Sequence, residues 1–273
     1  MKKISVAMSI LVLATLVLTA CAPKTTGGTT TGTTAGGLPD LGGKTITVAV
    51  ENAYPPFNYI DTATNKGAGW DYDVFTEICK RLNCVPEFKQ AAWDGIFPAM
   101  AAGEYDVLAD GVTAYPYRYW AVDFSVPYSL VSQQLLVRAG ESRALDAFVS
   151  DTGAKIGSQI GTTNYLAAQE YFPGKEIQAY SDFGAAILAL LSGDIDGVVL
   201  DDTAAAGFMQ QNPGKLTTVG AVKTGDALAF VFPPNSSLEF AVNGALRAMH
   251  TDGTLMQINR KWGLSDPPEE PAQ

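Results

Sequence analysis

The sequence predicts an α/β protein made of two similar halves, each a largely parallel sheet flanked by helices. Three observations point there. From Thr45 onward, short β-branched and apolar runs alternate with amphipathic helical segments, and a β-α-β-α-β order implies a mostly parallel sheet covered on both faces. Two stretches also echo each other. Gly103-Glu104-Tyr105-Asp106-Val107-Leu108-Ala109-Asp110 and Gly193-Asp194-Ile195-Asp196-Gly197-Val198-Val199-Leu200-Asp201 each run from a helix end through a turn into a strand and an acid. Finally, roughly 230 residues follow a Thr/Gly-rich segment that ends at Gly43, which is more than one ordinary domain uses and enough for two.

Taken in order, Thr45 to Val50 reads as the first strand, and the loop after it contains Pro55-Pro56, which cannot be helical. Asp71 to Asn83 places Val74, Phe75, Ile78, Cys79 and Leu82 on one helical stripe, with Asp71 or Asp73 suited to its amino end. A strand over Val85 to Phe88, a helix over Trp93 to Ala102 and a strand over Tyr105 to Ala109 follow. The second set starts near Lys155 to Ser158 and includes a helix over Asp182 to Leu191 and a strand over Gly197 to Leu200. Leu238 to Trp262 has the pattern of two helices around Asp252-Gly253-Thr254, with no partner evident from periodicity. Ligand groups in open parallel sheets gather at the carboxyl ends of strands. Asp110 and Asp201 are therefore placed to face one ligand from two halves, the plainer alternative being that each only forms a turn after its strand.

The ends carry their own chemistry. Lys2 and Lys3 precede a seventeen-residue, largely apolar run from Ile4 to Ala20 that closes on Leu18-Thr19-Ala20-Cys21, the plan of a secretion signal. Loss of residues 1–20 leaves 16 basic against 28 acidic residues, a net charge of −12 in place of −10. Such a chain lacks the basic patches that nucleic acid and anionic lipid require, so no nucleic-acid partner is expected. Residues 21–43 hold little to bury and are expected to form a flexible tether spanning roughly 25 Å. The tail 267–273, rich in Pro and Glu, is expected to fray. Cys79 and Cys84 are five positions apart in an exported chain, which favours a disulfide over two free buried thiols. With His250 as the single histidine, neither a metal site nor a cofactor is expected.

Several motifs in one order carry a resemblance. They are Tyr54-Pro55-Pro56-Phe57, Gly69-Trp70-Asp71-Tyr72-Asp73, Trp93-Asp94-Gly95-Ile96-Phe97-Pro98-Ala99, Tyr105-Asp106-Val107, Gly111-Val112-Thr113, Arg118, Val122-Asp123-Phe124-Ser125-Val126-Pro127-Tyr128, Gly161-Thr162-Thr163, Asp201, and Asp252-Gly253-Thr254 with Lys261-Trp262. Over nearly all of residues 44–264 the chain resembles the amino-acid-binding proteins of ABC importers, solute-binding family 3. Leu-Thr-Ala-Cys likewise resembles the lipobox of bacterial lipoproteins, in which Cys21 would be lipidated and hold the protein to the membrane from outside. The resemblance implies the type II periplasmic-binding-protein fold. Lobe 1 would comprise residues 44–135 and 229–266 and lobe 2 residues 136–228, with hinge crossings near Gln134 to Val137 and Ala227 to Phe230. It also implies a monomer that hands its ligand to a transporter permease.

Residue by residue, the resemblance makes Arg118 the carboxylate clamp of an amino-acid ligand, a planar fork able to hold both oxygens. Thr113 and the Gly111 region would add donors, and Gly161, Thr162 and Thr163 would present N–H groups from a helix start near Asn164. Asp201 would take the ligand ammonium. Tyr54 and Trp93 would wall the side chain, with Trp70 and Tyr117 as weaker candidates for which core packing is the alternative. Glu51, paired with Asp110, suggests a cationic side chain of the arginine or lysine class. Ala114 to Trp120 departs from the family pattern, as does the bulk and charge of Asp110. Two other functions fit the scaffold: a periplasmic enzyme of the cyclohexadienyl dehydratase type, which would need a general acid aimed at a leaving group, and a sensory ligand-binding module.

Overall fold

A computed structural model describes residues 33–34 and 36–265. The expected leader, the expected lipidation site Cys21, most of the expected tether and the expected tail from residue 267 lie outside the described residues. No helix among the described residues is long and apolar enough to cross a membrane.

Lobe 1 is organised on β1 (Lys44–Val50), which pairs in parallel with β5 (Cys84–Gln90) on one side and β6 (Val107–Thr113) on the other. The alternation predicted for a sheet covered on both faces is present. Val48, Val50, Val107 and Ala109 join one apolar cluster, while Ala49 and Leu108 point to another built around Trp93, Ile96 and Met100. A small antiparallel sheet of β2 (Ala53–Tyr54), β3 (Asn58–Asp61) and β4 (Lys66–Ala68) leads into α1 (Trp70–Leu82). That helix buries the Val74, Phe75, Ile78, Cys79 and Leu82 stripe and ends on Asn83 in the left-handed conformation. Cys79 and Cys84 form a disulfide across this turn.

Lobe 2 repeats the plan with β9 (Ile156–Gln159) between β10 (Gln178–Tyr180) and β11 (Gly197–Asp201), all parallel. They are covered by α3 (Leu145–Ser150), α4 (Thr163–Tyr171), α5 (Phe183–Ser192) and α6 (Asp202–Gln211). Here too the faces alternate: Val198 and Leu200 join the large cluster, and Val199 packs with Phe148, Ile156 and Phe172.

Two antiparallel strands span both halves. β8 (Ser129–Arg138) pairs with β11, and β12 (Leu216–Phe232) pairs along its length with β8 and at its far end with β6 and the short β7 (Asp123–Phe124). Both expected hinge crossings fall within these strands. The closing helices, α7 (Ser237–Thr251) and α8 (Thr254–Trp262), pack on α1. This gives Leu238 to Trp262 the partner that periodicity did not disclose.

Three expectations need correction. The helix expected from Trp93 is α2, Ile96–Ala101, because Gly95 sits at φ 80 and starts the helix only after it; Trp93 is left in the preceding loop. The strand expected to end at Ala109 runs on to Thr113, which puts Asp110 within it rather than beyond it. The last residues of the expected tether are also engaged with the body. Leu38 and Leu41 pack on the main core, and the Leu41 and Gly43 N–H groups donate to the carbonyls of Leu82 and Asn83 at 2.8 and 2.7 Å. These two leucines supply the apolar surface that the Thr/Gly-rich part lacks.

Candidate ligand-binding site

The ends of β1, β6, β9 and β11 converge on a small, nearly filled cavity of about 20 Å³. Glu51, Tyr54, Trp93, Asp110, Gly111, Thr113, Arg118, Thr162, Thr163 and Asp201 all line it. Gly161 does not line it, but its carbonyl faces Arg118 Nη2 at 3.4 Å.

One pole is Arg118, on the 3-10 turn Pro116–Trp120. Nη1 donates to the Thr113 carbonyl at 2.9 Å, while Nε has no partner. Phe97, Trp93 and Tyr117 stand around the guanidinium, their ring centroids 4.6, 5.4 and 5.7 Å from it. Burial pulls its pKa down, since desolvation penalises the charged form. Opposite it, Thr162 caps α4 by accepting the Tyr165 N–H at 3.0 Å. Ahead of that capped group, the N–H groups of Thr163 and Asn164 lie at the open start of the helix and are suited to an anion. The hydroxyls of Thr113 and Thr163 meet across the lobes at 3.0 Å.

The other pole is acidic. Burial pushes Glu51 up, reinforced by Asp110 and Asp182 nearby. Gln159 Nε2 donates to Glu51 Oε1 at 2.8 Å from lobe 2. Burial raises Asp110 as well. Asp201, at the end of β11, is raised by burial to about 7 although the Tyr54 hydroxyl donates to its Oδ2; Oδ1 has no partner. A charge buried in this way is costly unless an opposite charge meets it. Gly111 sits at φ 55 beneath the Tyr54 ring, where an added Cβ would lie 2.3 Å from Cε1, so only glycine lets the strand pass.

The two weaker candidates do not reach the cavity. Trp70 is fully buried, donates to Asn259 Oδ1 at 2.7 Å and packs against Tyr128 and Phe230. Tyr117 is half exposed and stands beside the guanidinium and the Tyr115 ring. Three lining residues escaped the sequence reading: Gln159, Asn164 and Phe183. Asn164 stood beside the Gly-Thr-Thr motif, and its position in the first turn of α4 was a usable signal. His250 is exposed near the end of α7.

The sequence profile of the bacterial extracellular solute-binding proteins, family 3, matches residues 46–265. ABC transporter arginine-binding protein 1 of Escherichia coli (strain K12) is 30% identical over 223 residues, 80% of this chain and 90% of that one. L-cystine-binding protein TcyA of Bacillus subtilis (strain 168) is 30% identical over 224 residues, 80% of each chain. Among solved structures, an ancestral arginine-binding protein, seen bound to arginine and bound to glutamine, superimposes with a TM-score of 0.74 at 33% identity, covering 80% of this chain and 97% of that one. With its fold, its motif order and this coverage, the chain belongs to the bacterial extracellular solute-binding proteins, family 3.

Proposed function

We propose that the protein captures an amino acid with a cationic side chain, of the arginine or lysine class, by closing its lobes, and delivers it to the permease of an ABC importer. The observation that carries this reading is charge. Glu51, Asp110 and Asp201 line a cavity in which Arg118 is the one basic side chain among the described residues. A ligand with one carboxylate, one α-ammonium and a second cation supplies a partner for every pole: the carboxylate for Arg118 and the α4 start, the ammonium for Asp201, and the side chain for Glu51 and Asp110. A neutral amino acid leaves Glu51 and Asp110, which accept side-chain bonds from the neutral amides of Gln159 and Asn58, without a cation between them. The arginine-binding relatives support this choice, whereas the cystine-binding one shows that the family scaffold also takes other side chains.

Arg118 and Asp201 come from different lobes, so the ligand bridges them and favours the closed state by contacts that the open state lacks. The carboxyl groups serve as charge partners and no chemistry on the ligand is invoked. Delivery from the outer face of the membrane, by a monomer tethered through Cys21, completes the proposal. A thermal-shift screen of the amino acids tests it, because a ligand that binds only the folded state raises the melting temperature with concentration. Arginine or lysine is expected to give the largest shift. Binding of neutral or acidic amino acids without arginine or lysine overturns the reading, as does turnover of prephenate or arogenate.

A further inference from the structure

Directly behind the acidic pole lie two fully buried polar residues that the proposed binding does not use, Asn58 and Asp71. Asn58 opens β3, and Asp71 lies in the first turn of α1. The Asn52 N–H donates to Asn58 Oδ1 at 2.7 Å, which settles which end of the amide faces which way. Its Nδ2 therefore points at two carboxylates, donating to Asp71 Oδ2 at 2.9 Å and to Asp110 Oδ1 at 2.7 Å. Asn52 is itself fixed, at φ 63, with its Oδ1 accepting the Tyr72 hydroxyl at 2.8 Å. Every member of this chain belongs to lobe 1, so the arrangement does not wait for closure.

A carboxylate on a cavity wall can rotate, or take up a proton and lose its charge. A donor from behind opposes both, because it fixes the carboxylate plane and favours the ionised form. Asn58 has that effect on Asp110, against burial. Asp71 occupies the second amide N–H and so holds Asn58 in place; its other oxygen, Oδ1, has no partner, and burial pushes the group up to about 8. Around these acids stand Glu51 from the end of β1, the hydroxyls of Tyr54, Tyr72 and Tyr128, Asp182 at the start of α5, and Asp201. Arg118 is the only basic side chain that lines the cavity among the described residues.

We infer that Asn58, braced by Asp71, is a positioning residue that aims the Asp110 carboxylate at the ligand's side chain and so sets the preference for a cationic over a neutral one. The inference rests on the cationic reading of the site.

Arginine and citrulline share a shape and differ by one charge, so the ratio of their affinities, measured by calorimetry on the intact protein, isolates the side-chain end. Asp201 meets the α-ammonium of both and drops out of the ratio. In the unaltered protein the ratio is expected to favour arginine and to rise from pH 6 to pH 8.5 as the side-chain carboxylates lose protons. Asn58→Ala is expected to lower the ratio roughly tenfold, the scale for a hydrogen bond to a charged group, with citrulline affinity little changed. It is also expected to move the rise to higher pH, since the ionised form has lost a donor. Asn58→Ser keeps one donor with a smaller loss of volume and is expected to recover part of the ratio. If Asn58→Ala does not fold, the serine variant and the pH series decide. A ratio unchanged in the variants, or flat with pH in the unaltered protein, overturns the inference. Should the protein bind neither arginine nor lysine, it is the proposed function that fails. If arginine is preferred equally with and without Asn58, the function stands and only the positioning role falls.

Discussion

The lobes contribute to the cavity in different ways. Lobe 1 supplies full charges of both signs, held by its own framework: Arg118 on the Thr113 carbonyl, and Asp110 on Asn58. Lobe 2 supplies groups at helix starts, with Thr162 capping α4 and Asp201 occupying the N-cap position of α6. On the proposed function, lobe 1 would carry the pattern that recognises a ligand while the lobes are open, and lobe 2 the groups that fasten them shut. The contrast also separates recognition from closure as experimental targets.

The largest effect is expected on the recognition side. Arg118→Ala removes one member of a charge pair formed in a desolvated pocket and is expected to cost about 2–5 kcal/mol of affinity. Calorimetry at neutral pH checks this, and a loss under about tenfold, or 1.4 kcal/mol, would show that the ligand carboxylate is held elsewhere. Asp201→Asn tests the fastening side and is expected to cost about 1.5–3 kcal/mol above pH 8. The sign with pH follows from its environment. Asp201 is raised to about 7 before a cation arrives, so lowering the pH protonates it and the unaltered protein comes to behave like the amide variant. The difference between the two is therefore full above about pH 8 and shrinks as pH falls below 7. A difference constant with pH would remove Asp201 from the ammonium contact.

The smallest expected effect isolates closure. Gly207, in α6, faces the Pro55–Pro56 turn of lobe 1, and a Cβ there would lie 2.6 Å from the Pro55 carbonyl oxygen. Gly207→Ala touches no cavity-lining residue and suits a helix better than glycine does. It is expected to leave the melting temperature of the unliganded protein unchanged or slightly higher and to weaken ligand binding by roughly 1–2 kcal/mol, the range for mild overpacking. Unchanged affinity would mean that the bound form does not bring α6 against this turn.

How much of this was legible in the sequence follows from the range of each signal. The α1 stripe and the alternating strands of both lobes are local periodicities, and they read correctly. Arg118 and Asp201 were reachable because their motifs stand in a familiar order. Gly95 stops the helix expected at Trp93 through a single positive φ, a signal that spacing does not carry. Asn58 acquires its role from partners 13 and 52 positions away, and Gln159 from one 108 positions away. Nothing in the short stretch around either residue marks it. Leu38 and Leu41 close a segment whose average composition is polar, and that average hides the apolar residues at its end.

Among the described residues, four side-chain bonds join the lobes at the cavity: Tyr54 to Asp201, Gln159 to Glu51, Thr113 to Thr163, and Arg118 to the Gly161 carbonyl. Each uses a group that also faces the cavity, so the molecule can satisfy part of its clamp from its own atoms. A closed form stabilised in this way has a population of its own, set by those bonds and independent of any cargo. To a partner that reads only the closed outline, the protein would act as a reporter with a fixed background, answering now and then when it carries nothing. The discrimination of such a partner would then be limited by that background as well as by how tightly the true ligand binds.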